Sequence, residues 1–340
     1  MSSSSLVVSM WETELSYASP ALTLTGRRSS EEQWLELALT CSHCVLPRED
    51  GVENLNKSDQ VIIASWTQLG VRPLEENAAR LLRIDSPSAR DKDGIDKFTF
   101  SMKDTEETPG FQNVRLADEN GDFVIPADRA LWKACLDRLT AFATGKAMFK
   151  ECLDHNSNEL GFVYAASGHR EERAVTATFN PDTLPTIKDW ALLHPVKGRS
   201  FSTNVEVRCH PLPNNVKSMD FLPRGEPIQP DTILYKIGRK TGVSEGRYAG
   251  LRTVKVAHEV VNGELVSKPT CEHSVLSHNH KNVFALPGDS GALVVTRIGR
   301  VVGLCFGGYD HGDVGYFTHI HDLLDDIEAV TGECQIRLER

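Results

Sequence analysis

The sequence predicts a mainly β fold, interrupted by one long helix and finished by a second helix near the C-terminus. Three observations predict it. Short apolar runs separated by Gly, Pro and Asn fill the first and last thirds. Residues 126–153 instead repeat apolar side chains at the spacing of one helical face. Residues 322–330 form an amphipathic stretch that stops before Gly332.

In chain order, the first strands read as Ala21-Leu22-Thr23-Leu24-Thr25 and Leu35-Glu36-Leu37-Ala38-Leu39-Thr40, joined by a polar turn with Gly26, Ser29 and Ser30. Residues 52–121 are mixed, with a charge-rich segment at 89–94 and a Pro109-Gly110 turn. Leu131, Cys135, Leu139, Phe142, Phe149 and Leu153 then recur three, four or seven residues apart or at multiples of these, and Pro126 suits a first helical turn. Strands resume at 161–165, 205–208, 233–237, 247–256, 292–296 and 301–306, at intervals that suit a barrel or sandwich. The closing helix carries early aspartates, which complement its N-terminal dipole.

Composition narrows the functional classes. The 340 residues suggest about two core-forming units at roughly 150 residues each. The net charge of −10, with no basic run, argues against a nucleic-acid partner. No segment approaches the roughly 20 apolar residues of a membrane helix, so no membrane partner is expected. The N-terminal residues lack a basic region followed by an apolar one, which predicts a cytoplasmic or nuclear protein that is not secreted. The 8 cysteines are too sparse for a disulfide scaffold and read as free thiols. Cys41 and Cys44 lack a second pair and read as incidental spacing. Cys271, His273, His278 and His280 include zinc's ligand types but read as an exposed His-rich loop. Asp310, His311, Asp313, His319 and His321 read as pocket rim or strand ends, and no metal or cofactor is expected.

The sharpest motif is Gly288-Asp289-Ser290-Gly291, leading into an apolar strand. A nucleophilic serine must stand on a tight loop with N–H groups turned toward an oxyanion, and Gly288 tolerates the positive φ this requires. Such a serine needs an imidazole to take its proton and a carboxylate to orient the imidazole. His43 follows the strand ending at Thr40. Asp189 opens Asp189-Trp190-Ala191-Leu192-Leu193, where an acid beside apolar residues needs a partner.

Together these segments resemble the chymotrypsin-like (trypsin-like) serine peptidases. Thr40-Cys41-Ser42-His43-Cys44 resembles the family's His motif, the segment from Asp189 its Asp-x-Ala-Leu motif and Gly288–Gly291 its Ser motif, in the family's chain order. Gly238-Arg239-Lys240-Thr241-Gly242 resembles the Gly-Arg-x-Thr-Gly hairpin of bacterial and fungal members. Gly303-Leu304-Cys305-Phe306-Gly307-Gly308 resembles the substrate-pairing strand, and Gly315-Tyr316-Phe317-Thr318-His319-Ile320 the segment before the C-terminal helix. The resemblance implies two six-stranded antiparallel β-barrels with a cleft between them. It implies His43 as base, Asp189 as orienter, Ser290 as nucleophile, and an oxyanion hole from the N–H groups of Gly288 and Ser290. It places Phe284, Phe306, Gly307, Gly308 and Gly315 around the substrate. Phe284 stands where trypsin-like pockets carry Asp, so Arg/Lys preference through that acid is not expected, while Gly308 and Gly315 are expected to leave room for a large side chain.

The resemblance divides the chain into an N-terminal arm (1–19), a first barrel (20–200) with an insertion at about 66–153 containing the helix 126–153, and a second barrel plus C-terminal helix (201–340). The insertion would lid the cleft, hold a regulatory partner or decorate the surface; long surface insertions cost little. The family's disulfide pattern is missing, as befits an intracellular member. In members activated by cleavage a new N-terminus pairs with the acid before the serine. No Ile-Val-Gly-Gly-like terminus is seen, so Asp289 needs another partner. The expected activity is limited, regulatory endoproteolysis of intracellular proteins or peptides through an acyl-enzyme. The alternative is a non-catalytic protein-binding module on the same fold.

Overall fold

The computed structural model describes residues 7–9, 22–27, 34–47, 49–85, 92–155, 157–172, 184–199, 219–238, 240–261, 264–277, 283–309, 312–332 and 335–338. These fall into two compact units. One holds residues 7–8, 22–84 and 160–338, and the other holds Ser9 and residues 85–159. Residues 66–84, grouped with the insertion on sequence grounds, lie in the first unit, where Trp66, Val71, Leu81 and Leu82 are buried.

The first unit is mostly β. Strands β1 (Val7–Ser9), β2 (Leu22–Arg27), β3 (Leu35–Thr40), β4 (Arg83–Asp85), β5 (Glu159–Ala166), β8 (Ala191–Pro195) and β17 (Gln335–Leu338) form one sheet in the order β1-β4-β5-β8-β3-β2-β17. β3 lies between β2 and β8, and its Leu37, Ala38 and Leu39 are buried, as a strand without polar alternation requires. Two short strands, β6 (Arg170–Glu172) and β7 (Thr186–Lys188), pair with each other.

A second sheet runs β11-β10-β14-β15-β16-β13-β12, from β10 (Ile233–Gly238), β11 (Gly242–Tyr248), β12 (Thr253–Val261), β13 (Glu264–Ser277), β14 (Leu293–Thr296), β15 (Arg300–Gly308) and β16 (Val314–His319). β9 (Asp220–Phe221) joins β15 in parallel. β11 also pairs with β13, so the hydrogen bonds run from β10 through β14, β15, β16, β13 and β11 back to β10. The strand expected over 247–256 is broken in two, because the chain turns at Gly250, where φ is +74°. The strand expected over 205–208 lies outside the described residues.

Helices are more numerous than the sequence reading allows. α1 (Glu49–Val52), α2 (Lys57–Leu69) and α3 (Ala78–Leu81) belong to the first unit. The Asn56 side chain caps α2 by accepting from the Asp59 N–H at 2.9 Å. In the second unit α4 (Lys92–Glu107), α5 (Pro109–Asn120) and α6 (Pro126–Asp154) pack on one another. Pro109, expected in a turn, opens α5 instead. On α6, Phe149 is buried, Cys135, Leu139 and Phe142 are half-buried, and Leu131 is exposed. The closing helix α7 (Ile320–Thr331) ends at Gly332, whose φ of 77° is left-handed.

Candidate active site

β3 ends at Thr40, and the next turn is a short 3₁₀ helix, Ser42–Cys44, that carries His43. The His43 N–H donates to Asp189 Oδ1 at 3.0 Å, and its ring Nδ1 meets Asp189 Oδ2 at 2.5 Å. An ionised Asp189 places the proton on Nδ1 and leaves Nε2 as an acceptor. Burial is the largest single influence and works against a charged His43, but the hydrogen bond to Asp189 and the effects of Cys44 and of the Asp189 charge together outweigh it, so the imidazole is raised above its ordinary value.

Asp189 is buried in the link between β7 and β8. Its neighbours are tied to α7. The Trp190 indole N–H donates to Asp326 Oδ2 at 2.5 Å, and Arg170 donates to the same oxygen at 2.7 Å. The buried Lys188 ammonium donates to the Asp322 carbonyl at 3.0 Å.

Ser290 lies on a loop shaped by Gly288 (φ 105°) and Gly291 (φ 88°). A Cβ on Gly291 would sit 2.4 Å from Thr40 Oγ1, which shows how closely the serine loop abuts the residues before His43. The Asp289 and Gly291 N–H groups donate to Leu286 and Cys305 carbonyls. Among the described residues the Gly288 and Ser290 N–H groups make no backbone hydrogen bond. The Ser290 hydroxyl donates to the Phe306 carbonyl at 3.4 Å, so its hydrogen bond to His43 is not made in this state.

The expected substrate contacts differ in detail. Phe284 is buried, and a Cβ on Gly315 would stand 2.4 Å from its ring. A Cβ on Gly308 would meet the Val314 and Ala285 carbonyls. The room expected beside these two glycines is therefore taken up, by Phe284 at Gly315 and by the Val314 and Ala285 backbone at Gly308. Gly307 faces open space, and Phe306 stacks on Tyr316.

The histidines assigned to a rim are buried instead. His319 and His321 line a cavity of about 440 Å³ with His273, Tyr248, Arg224 and Asp325. His273 contacts the Tyr248 hydroxyl through Nδ1 and accepts from Arg252 through Nε2, so neither nitrogen is open to zinc. His278, His280, Asp310 and His311 lie outside the described residues. Cys41, His43 and Asp189 bring potential metal-ligand atoms within 4.8 Å of one another. These atoms are already engaged, Asp189 with His43 and the Cys41 thiol with the Cys305 carbonyl at 3.3 Å. The six described cysteines are free. Among the described residues no helix is long and apolar enough to cross a membrane.

The family model described as Peptidase family S64 matches residues 13–335. No curated protein matches. The active form of a protease from M. tuberculosis is similar at 12% identity, covering 52% of this chain and 65% of that chain, with a TM-score of 0.29. Cellulomonas bogoriensis chymotrypsin is similar at 15% identity, over 53% of this chain and 90% of its own, with a TM-score of 0.28. A Nocardiopsis protease is similar at 14% identity, over 54% and 80%, with a TM-score of 0.28.

Proposed function

The chain belongs to peptidase family S64, a family of chymotrypsin-like serine peptidases, and on that premise we propose that it hydrolyses peptide bonds in protein substrates through His43, Asp189 and Ser290. The observation that carries this is the two-point hold of Asp189 on His43, made across 146 residues of sequence beside a Gly-Asp-Ser-Gly loop. In this reading the ring of strands from β10 to β16 is the second barrel and the other sheet the first.

The Ser290 hydroxyl leaves the Phe306 carbonyl, gives its proton to His43 Nε2 and forms a C–O bond to the scissile carbonyl carbon. Asp189 stays ionised and stabilises the imidazolium. The oxyanion is received by the N–H groups of Gly288 and Ser290. Collapse breaks the C–N bond, the amine leaves with the proton from His43, and water then hydrolyses the acyl-enzyme by the same steps in reverse. Phe284 fills much of the space beside Gly315, which supports a preference for compact P1 side chains over large ones. The free thiols beside His43 support action on intracellular proteins, as limited, regulatory cleavage.

Ser290→Ala is expected to abolish both peptide cleavage and labelling by a fluorophosphonate probe; labelling that survives in this variant removes Ser290 from its role. The bond from Ser290 to Phe306, rather than to His43, favours the second reading, a protein-binding module without catalysis. That reading requires a wild-type protein that the probe does not label.

A further inference from the structure

Asp289 precedes the proposed nucleophile and is almost wholly buried. A carboxylate in that position needs compensating hydrogen bonds and charge. Among the described residues five donors converge on it. The Lys240 and Thr241 N–H groups reach Oδ1 at 2.7 and 3.2 Å. The Leu286 N–H, the Thr241 hydroxyl and the Lys236 ammonium reach Oδ2 at 3.0, 2.9 and 2.9 Å.

Lys236 has no exposed side-chain surface. Its ammonium also donates to Thr241 Oγ1 at 2.7 Å and lies 5.5 Å from the centre of the Phe284 ring. Burial alone would raise Asp289, but the Lys236 charge, helped by the Leu286 and Lys240 N–H groups, holds its carboxyl below the usual range. The approach is close enough to dictate a third residue. A Cβ on Gly238 would lie 2.3 Å from Asp289 Oδ1 and 2.6 Å from Lys236 Nζ, so only glycine fits.

The Asp289 carboxylate in turn shapes the loop that presents Gly288 and Ser290. It accepts the Leu286 N–H, while its backbone N–H returns to the Leu286 carbonyl and its carbonyl accepts from Ala292. We infer that Lys236 is a positioning residue: its ammonium, built into β10, holds Asp289 and thereby sets the Gly288 and Ser290 N–H groups that receive the oxyanion. The loop is thus set by an internal side chain when the chain folds, with no new terminal amine required. This rests on the proposed role of Ser290.

The test compares wild type with Lys236→Met, with the neutral pair Lys236→Met/Asp289→Asn, which leaves no buried charge alone, and with Thr241→Val, which keeps both charges and removes the bridging hydroxyl. Peptide turnover, fluorophosphonate labelling rate and thermal unfolding are measured for each. Both Lys236 variants are expected to lose about 10²–10³-fold in kcat with KM little changed, the scale of removing one oxyanion donor, and to label correspondingly slowly while still folded. Thr241→Val is expected to lose about tenfold, a fraction of that effect. In Lys236→Ala, n-propylammonium is expected to restore turnover where the neutral n-propanol, of the same number of heavy atoms, does not. Folded Lys236 variants with wild-type kcat overturn the inference, as does equal rescue by the amine and the alcohol. Should the Lys236 variants fail to fold, a Thr241→Val protein with unchanged kcat overturns it. A wild-type protein that shows no Ser290-dependent labelling instead overturns the proposed function.

Discussion

Asp189 holds His43 through both carboxylate oxygens, and Cys44 acts on the same imidazole from the other end of the 3₁₀ turn. The Cys44 thiol is itself lowered to about 6, chiefly by its hydrogen bond with Cys41 and despite burial, with His43 contributing. Both the hydrogen bond and the charge of Cys44 favour a protonated His43. Removing them in Cys44→Ala is expected to lower the imidazole's pKa and move the acid limb of the kcat/KM–pH profile to lower pH by about one unit. A profile measured from pH 6 to 11, which spans the His43 value of about 10, with an unmoved limb would show that Cys44 does not tune His43. The pairing of His43 with Asp189 was legible because each is a polar residue beside an apolar run, and Ser290 was legible as a candidate from its glycine-bound loop. Lys236 was not legible. In Ile233-Leu234-Tyr235-Lys236-Ile237 a lysine looks like an outward-facing residue, and only the packing of β10 against the serine loop shows that it points inward.

Elements were legible where burial and hydropathy agree. β3 was read to the residue because every member of Leu37-Ala38-Leu39 is buried. Hydropathy did not pick out β13 because its buried half is mostly polar, with Thr270, Glu272, His273 and Ser274 inside. Glu272 is tolerated there because it accepts from the Thr186 hydroxyl and the Ile187 N–H. α4 and α5 are short amphipathic helices whose many charged residues masked their periodicity. At the start of α7 the His319 side chain accepts from the His321 N–H, and burial lowers His319 to about 4, below the ordinary 6.5. The unfolded chain therefore takes up the proton first. This contribution to stability is full above about 6.5 and is lost as pH falls toward about 4. His319→Asn keeps a capping oxygen and removes the titration. It is expected to flatten the fall of unfolding free energy between pH 6.5 and 4, on the order of a few kcal/mol in wild type and followed by thermal unfolding, though His273, shifted in the same direction, preserves part of the slope. Equal slopes in the two proteins would remove His319 as a source of acid sensitivity.

At the scale of the whole molecule, the helical unit of residues 85–159 enters the chain between His43 and Asp189. Its helix α6 was legible in the periodicity, whereas residues 66–84, read as part of the insertion, group with the first unit and carry buried apolar side chains. Replacing residues 86–156 by a short Gly-Ser linker is expected to change kcat/KM toward peptides if this unit controls substrate access. A folded deletion with unchanged kinetics would reduce it to decoration. The ties from Trp190 and Arg170 to Asp326, and from Lys188 to the Asp322 carbonyl, carry a consequence for the order of synthesis. A ribosome releases the His43 turn first, the Asp189 link next and the Ser290 loop later, but α7 emerges after all three. Until α7 docks, the Trp190 indole lacks its Asp326 acceptor and the buried Lys188 ammonium its Asp322 carbonyl. A nascent chain can therefore hold His43, Asp189 and Ser290 before the last helix ties the flanks of Asp189 in place.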